Sequence, residues 1–214
     1  MRISINNYKN IIFDLGGVIL NIDYDLTAKA FAGLGLNQFS QLFSKSQQQQ
    51  LFDLYEKGII SSDDFRNTLN NSLKEPVSLA LIDAAWNAML LDLPPARLEL
   101  LRTVKSTHRT FLLSNTNEIH MQWFFHSLQQ HFGIPDLSTF FENVYLSYQI
   151  RLRKPDAAIF QYVLDKNELD PSETLFIDDS PQHIESAKKL GIHTYWLDVR
   201  KEDIVELLSL VKQH

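Results

Sequence analysis

Acidic, hydroxyl and cationic side chains stand where short apolar runs stop. In NIIFDLGGV (residues 10–18) Asp14 follows Ile11–Phe13 directly, and the pair Gly16-Gly17 comes one residue later. RTFLLSNTN (109–117) closes on Ser114-Asn115, TLFIDDS (174–180) on Asp178-Asp179, and Lys154 stands before Pro155 in RKPD. A carboxylate at a strand tip can be a nucleophile, a metal ligand or a cap. The glycines let the backbone turn sharply and let a ligand come close. A carboxylate that attacks a phosphate must first have the opposing charge neutralised. Mg²⁺ does this through hard oxygen ligands, and Asp178 and Asp179 can supply those that remain. Ser114–Asn117 offers a hydroxyl, side-chain amides and the N–H groups of a following helix to phosphate oxygens. Lys154 adds a fixed cation. Each part alone is ordinary: a turn aspartate, a Ser-Asn turn, a helix start at Asp179-Ser180-Pro181, a helix start at Lys-Pro. Their combination, each after an apolar run, makes a phosphoryl-transfer site.

Such residues need a frame that brings the tips together. Further β-rich runs are RTFLLS (109–114), ENVYLS (142–147), TLFIDD (174–179) and HTYWLD (193–198), and helical patterns such as AAIFQYVLDKNEL and HIESAKKLG lie between them. Strands apolar on both faces that alternate with helices predict an α/β protein with a parallel sheet covered on both sides. Ligands then collect at the C-terminal strand ends. From about Ile22 to Pro94 the pattern is helical only. SSDDFRNTLNNSL opens with Ser61 three residues before Asp64, a capping-box start. SLALIDAAWNAMLLDL reads as a second helix closed by Pro94-Pro95. The division expected is a core of residues 1–21 and 95–214 with a helical cap over 22–94; the alternative is a set of helices packed around one larger core. The Gln47–Gln50 run reads as a solvated helix face.

Composition bounds the rest. The 214 residues are 44% apolar with a net charge of -6, enough for a real core and without the basic excess of a nucleic-acid binder. There is no cysteine, so no disulfide, thiol nucleophile or cysteine–zinc site can form. No apolar run approaches the roughly 18 residues of a membrane span, and the N-terminus lacks a signal peptide's apolar core. A cytoplasmic protein that does not bind membranes is expected. Oligomeric state is not legible.

FDLGG, LLSNTN, RKPD and FIDDS resemble, in order, the four motifs of the haloacid dehalogenase superfamily. The resemblance implies a Rossmann-like core with an inserted all-helical cap. SNTNEIH, VYLSYQIRLRKPDAAIFQYVL and TLFIDDSPQHIESAKKLGI are similar to the bacterial alpha-D-glucose-1-phosphate phosphatase-like branch. It implies that Asp14 is the nucleophile and that Ser114 and Asn115 bind the phosphate. Lys154 would stabilise the phosphoryl group, and Asp178 and Asp179 would hold Mg²⁺ with Asp14 and the Gly16 carbonyl. The implied substrate is a small phosphorylated metabolite, a sugar phosphate. Most phosphatases of the superfamily have a second aspartate where Gly16 stands, and its loss removes a general acid/base worth about 10²–10⁴-fold. Sugar 1-phosphates, with their better leaving oxygen, are therefore favoured. Asp23, otherwise an N-cap, and His120, otherwise a partly exposed helix-surface residue, are the candidates to replace the missing group. Trp123 reads as core or cap contact. Arg151 stands where the related phosphatases tend to have glycine. Competing readings are a 2-haloacid dehalogenase, disfavoured by the double aspartate, and a phosphate- or partner-binding protein whose chemistry lapsed at Gly16.

Overall fold

The apolar runs lie side by side as five parallel strands in the computed structural model, which describes residues 4–36 and 46–208. They are β1 (Asn10–Phe13), β2 (Arg109–Ser114), β3 (Asn143–Leu146), β4 (Thr174–Asp178) and β5 (His193–Trp196), in the order β3-β2-β1-β4-β5. The helices are α1 (Tyr24–Gly33), α2 (Ser46–Glu56), α3 (Ser62–Asn71) and α4 (Leu79–Asn87) after β1, and α5 (Pro95–Lys105) before β2. Next come α6 (Glu118–Phe132), α7 (Ser147–Ile150) and α8 (Ala157–Asn167), then α9 (Pro181–Lys188) and α10 (Ile204–Leu208). This is a Rossmann-like α/β sheet. Side chains alternate across it with period two: Ile11, Phe13, Leu112, Leu175 and Ile177 join one apolar cluster, whereas Ile12, Phe111, Leu113 and Phe176 join another. Helices α5, α6 and α10 cover the first face; α8 and α9 cover the second.

The chain reverses its direction of strand addition at β1, which pairs with both β2 and β4. Phe13 is opposite Ile177, so Asp14 and Asp178 emerge side by side at the switch point. That is where open α/β sheets bind ligands.

Helices α1 to α4 build a third apolar cluster of their own, around Phe31, Phe52, Phe65 and Trp86. The rings of Phe52 and Trp86 stack 5.3 Å apart. Helix α3 starts in the capping box that the sequence predicts: Ser61 accepts from the Asp64 N–H, and the Asp64 carboxylate accepts from the Ser61 N–H. The backbone of the Gln47–Gln50 run lies in α2, with Gln50 exposed; the side chains of 47–49 lie outside the described residues.

One expectation is corrected. The SLALIDAAWNAMLLDL helix ends at Asn87, not at the proline pair. Residues beyond it turn and then bind the outgoing chain: Leu91 N–H donates to Asn21 O at 3.0 Å, and Asp23 N–H donates to Met89 O at 2.9 Å. The two crossings between sheet and helical unit are thus tied to each other, and their backbone hydrogen bonds win over continued helix.

The helical unit docks on the N-terminal turn of α6. Trp86 Nε1 donates to Asn117 Oδ1 at 3.2 Å, the Ile119 N–H donates to the Tyr55 hydroxyl at 3.2 Å, and Ser62 hydrogen-bonds Glu118. Ile119 itself is buried in the helical unit's cluster. Gly58, just past α2, touches the core at Tyr148: a Cβ there would lie 2.1 Å from the Tyr148 carbonyl oxygen. No helix of the described residues is long and apolar enough to cross a membrane.

Gly58 and Gly133 share a left-handed backbone, φ +60 and +65, but only Gly58 faces an obstacle. Gly133→Ala should cost about 1 kcal/mol, the ordinary price of alanine in that conformation. Gly58→Ala should cost clearly more, because the helical unit must shift off Tyr148. Urea denaturation of both variants checks this, and equal losses would refute the close approach as a docking constraint.

Candidate active site

At the switch point the Lys154 ammonium is wholly buried and makes three hydrogen bonds. It donates to Asp14 Oδ1 at 2.8 Å, to Asp178 Oδ2 at 2.7 Å and to Leu113 O at 2.8 Å. One cation therefore ties together the ends of β1, β4 and β2. A buried ammonium is tolerable only when its donors are satisfied and its charge is compensated. Here Asp14 and Asp178 outweigh the effect of burial, and they hold the Lys154 pKa above the usual lysine range. The Lys154 peptide is clamped too: Asn115 Oδ1 accepts from its N–H at 2.9 Å, and Asn115 Nδ2 donates to its carbonyl at 2.8 Å.

Carboxylate oxygens of Asp14, Asp178 and Asp179 lie within 4.8 Å of one another. With one ammonium among three carboxylates, full ionisation leaves an excess of two negative charges. Burial, reinforced by the Asp178 and Asp179 charges, pushes the Asp14 carboxyl up to about 7 despite Lys154. Burial and the charge of Asp178 raise Asp179 to about 6. Asp178 is buried as well, yet Lys154 and His183 overcome the burial and hold it at about 2. It also accepts from the Ser180 N–H at 2.8 Å, and His183 Nδ1 lies 2.9 Å from its Oδ1. Asp178 is the fixed anion; the other two are short of positive charge. Hard oxygen donors with this deficit fit a divalent cation such as Mg²⁺. Asp14, Asp178 and Asp179 are the residues placed to hold it.

The two glycines have separate reasons. Gly17 has φ +81, and a Cβ would come within 2.3 Å of Asp179 Oδ2, so the acidic cluster closes only over a bare α-carbon. Gly16 has no such backbone demand. Its missing side chain is replaced by Ile22, whose Cδ1 would lie 3.2 Å from a Cβ at Gly16. The contact is tight rather than closed, and Gly16 itself lines the cavity that opens on the acidic cluster.

Several expected roles change in the folded chain. Asn115 clamps the Lys154 peptide through Oδ1 and one Nδ2 hydrogen, and it also lines the cavity on the acidic cluster. The α6 N–H groups of Ile119 and His120 are taken by Tyr55 and Asn117. Ser114 is buried beside Asn115, and both line a cavity of about 90 Å³ with Gly16 and His120. His120 is not a partly exposed surface residue: its ring stacks on Trp86 at 4.8 Å and Nδ1 lies 2.8 Å from Asn87 Oδ1. Burial pulls its pKa to about 3, which leaves it no imidazolium proton to donate near neutral pH. Asp23 caps α1, accepting from the Asp25 N–H at 2.9 Å. Trp123 packs against the core. Arg151 is exposed with φ 57, a left-handed conformation that suits glycine better.

A second cavity of about 340 Å³ opens directly on the acidic cluster. Besides Asp14, Lys154 and Asp179 it is lined by Tyr24, Glu56, Arg153 and His183, residues that sequence reasoning missed. Glu56, at the end of α2, pairs with Arg153, which also reaches Asp53 at 3.2 Å. His183 carried a local signal, lying one turn into the helix after Asp178-Asp179. Glu56 and Tyr24 carried none, because only packing of the helical unit brings them to the strand tips.

The sequence matches the family described as haloacid dehalogenase-like hydrolase over residues 8–191. It is 34% identical over 187 residues to the D-ribitol-5-phosphate phosphatase of Bacteroides thetaiotaomicron, covering 87% of this chain and 90% of that protein. The crystal structure of a HAD family enzyme from the same organism, in complex with magnesium and inorganic phosphate, superposes with a TM-score of 0.85 at 36% identity, over 94% of this chain and 98% of that one. A HAD-like hydrolase structure from Porphyromonas gingivalis gives 0.82 at 28% identity, over 97% and 99%.

The raised carboxyls set a stability test. Asp14 and Asp179 hold protons more tightly folded, at about 7 and about 6, than at the ordinary 3.8. Their contribution is thus complete below the ordinary value and is lost as pH rises through the folded one. In EDTA the melting temperature should fall by several degrees between pH 5 and 8. Saturating Mg²⁺ should reverse most of that fall at pH 8 through mass action. A flat metal-free profile, or no response to Mg²⁺, would contradict the cluster's charge deficit.

Proposed function

The chain belongs to the haloacid dehalogenase-like hydrolase family, and we propose that within it the protein is a Mg²⁺-dependent phosphatase of small phosphorylated sugars or polyols. The observation that carries this reading is the Lys154 ammonium held between Asp14 and Asp178, with Asp179 completing a carboxylate cluster at the strand tips. It is supported by one relative named for a polyol phosphate and by another crystallised with magnesium and phosphate. A carboxylate cluster that needs a cation counts against the haloacid dehalogenase reading, whose substrate is itself a carboxylate.

In this proposal Asp14 attacks the phosphorus and carries the phosphoryl group as an aspartyl-phosphate, which water then hydrolyses. Mg²⁺ on Asp14, Asp178, Asp179 and the Gly16 carbonyl would supply charge neutralisation to the phosphoryl oxygens. Lys154 orients Asp14 and lies within reach of the transferring group's charge, while Asn115 keeps the Lys154 backbone in place. Ser114 bounds the phosphate side of the site. The helices of residues 22–94 act as a cap that narrows the entrance, contributing Tyr24 and Glu56 to its wall.

Residue 16, a glycine, offers the leaving oxygen no proton. An anomeric oxygen departs more readily than a primary alkoxide, because the ring oxygen withdraws charge. Each leaving-group pKa unit is worth up to about 1.4 kcal/mol when the charge is fully expressed, and a loose transition state expresses much of it. Sugar 1-phosphates are therefore favoured over 5- and 6-phosphates wherever the leaving oxygen departs unprotonated, with both turned over.

Two measurements test the reading. Asp14→Asn should cut Mg²⁺-dependent phosphate release to background, at least about 10³-fold, in a protein whose circular dichroism is unchanged; activity within tenfold of the wild type would exclude nucleophilic catalysis at this residue. With no proton donor in the cavity, kcat/KM for glucose 1-phosphate should exceed that for glucose 6-phosphate by about tenfold or more; a smaller gap in the wild type would mean that another group already supplies the proton.

A further inference from the structure

We propose that Glu56, from the helical unit, is the catalytic acid and base that stands in for the side chain missing at Gly16. The inference rests on the phosphatase reading above. In-line displacement puts the leaving oxygen on the far side of phosphorus from Asp14. Asp14 comes from the sheet, so the leaving oxygen faces the wall that the helical unit supplies. Glu56 and Tyr24 are the residues from that unit lining the cavity on Asp14.

The other ionisable groups of the cavity are committed. Lys154 is locked on Asp14, Asp178 and Leu113 O; His183, which holds Asp178 through Nδ1, belongs to the helix after β4 and so lies on the same sheet side as Asp14, away from the leaving oxygen. Asp179 belongs to the metal cluster. A guanidinium such as Arg153 does not release its protons. Tyr24 is 65% exposed, and a phenol of ordinary pKa about 10 is poorly matched to a cycle near neutral pH. Asp23 caps α1, and His120 is buried and neutral. Glu56 remains. Burial raises its pKa against the pull of Arg153, while Asp53 raises it further and His183 opposes; Tyr24 also faces it across the cavity. Arg153 holds the carboxyl in position and, as the neighbour of Lys154, joins it to the loop that carries the site's anchoring cation.

The proton balance closes over one turnover. As the Asp14 carboxylate bonds to phosphorus and the bond to the ester oxygen breaks, protonated Glu56 gives its proton to that oxygen, which leaves as the alcohol. The resulting carboxylate then takes a proton from water as the water oxygen bonds to phosphorus and the bond to Asp14 breaks. Phosphate departs and Glu56 is again protonated.

The test compares two leaving groups on the full-length protein with saturating Mg²⁺. p-Nitrophenyl phosphate releases a stable phenolate that needs little help, whereas glucose 6-phosphate releases a primary alkoxide. Glu56→Gln keeps the size and a hydrogen bond to Arg153 but cannot cycle a proton. It should raise the ratio of aryl to alkyl kcat/KM by about 10²-fold, while Glu56→Asp, which retains a carboxyl, should lie between it and the wild type. Melting temperatures verify folding, and the within-protein ratio is insensitive to the fraction of active molecules. Equal losses of kcat/KM on both esters, or no change on either, would overturn the proposal and leave Glu56 as a structural partner of Arg153. A wild type that hydrolyses neither ester would instead be the failure of the phosphatase reading itself, and would take this inference with it.

Discussion

The structure turns on one buried cation. Lys154 places its ammonium where three neighbouring strands end, with every proton of the group donated to Asp14, Asp178 or a β2 carbonyl. In an interior of low effective dielectric an unpaired ammonium would be too costly to keep, and so would the two carboxylates without it. Each therefore requires the others, and the strand order makes the meeting possible. With β1 flanked by β2 and β4, residues from three separate regions of the chain converge within hydrogen-bond distance. Asn115 extends the constraint, since its amide spends both arms fixing the Lys154 peptide.

That arrangement is deliberately incomplete in charge. Lys154 and His183 satisfy Asp178, whereas Asp14 and Asp179 are left raised by burial and by their neighbours' charge. A site of this kind takes up either protons or a divalent cation. The same deficit that would destabilise the metal-free protein at neutral pH is what prepares the cluster for an anionic ligand carried with a cation.

The helical unit is joined to this centre by more than its two crossing strands. Trp86, Tyr55 and Ser62 occupy the first turn of α6, and Glu56 grips Arg153 beside Lys154 in the chain. Movement of the unit would thus be felt at the anchoring loop. Ile22 shows the same coupling from the other side: this residue of the crossing segment is what a Cβ at Gly16 would meet, at 3.2 Å.

Local physics made much of this legible in the sequence. Short continuous apolar runs ending in Asp14, Ser114 and Asp178 specify strands and their polar tips, because composition and punctuation are properties of a few adjacent residues. The Ser61–Asp64 capping box and the order of the motifs are local in the same sense. What tertiary structure alone decided involves partners far apart in sequence. The proline pair promised a longer α4, but pairing between Asn21 and Leu91 ended it early. His120 looked like a surface residue until Trp86 and Asn87 closed over it, and the clamp that Asn115 places on the Lys154 peptide joins residues 39 positions apart. Glu56 looked like any acidic residue at a helix end. Its place opposite Asp14 follows from the docking of one apolar cluster on another, an outcome of shape and burial summed over many side chains that no short stretch of sequence encodes.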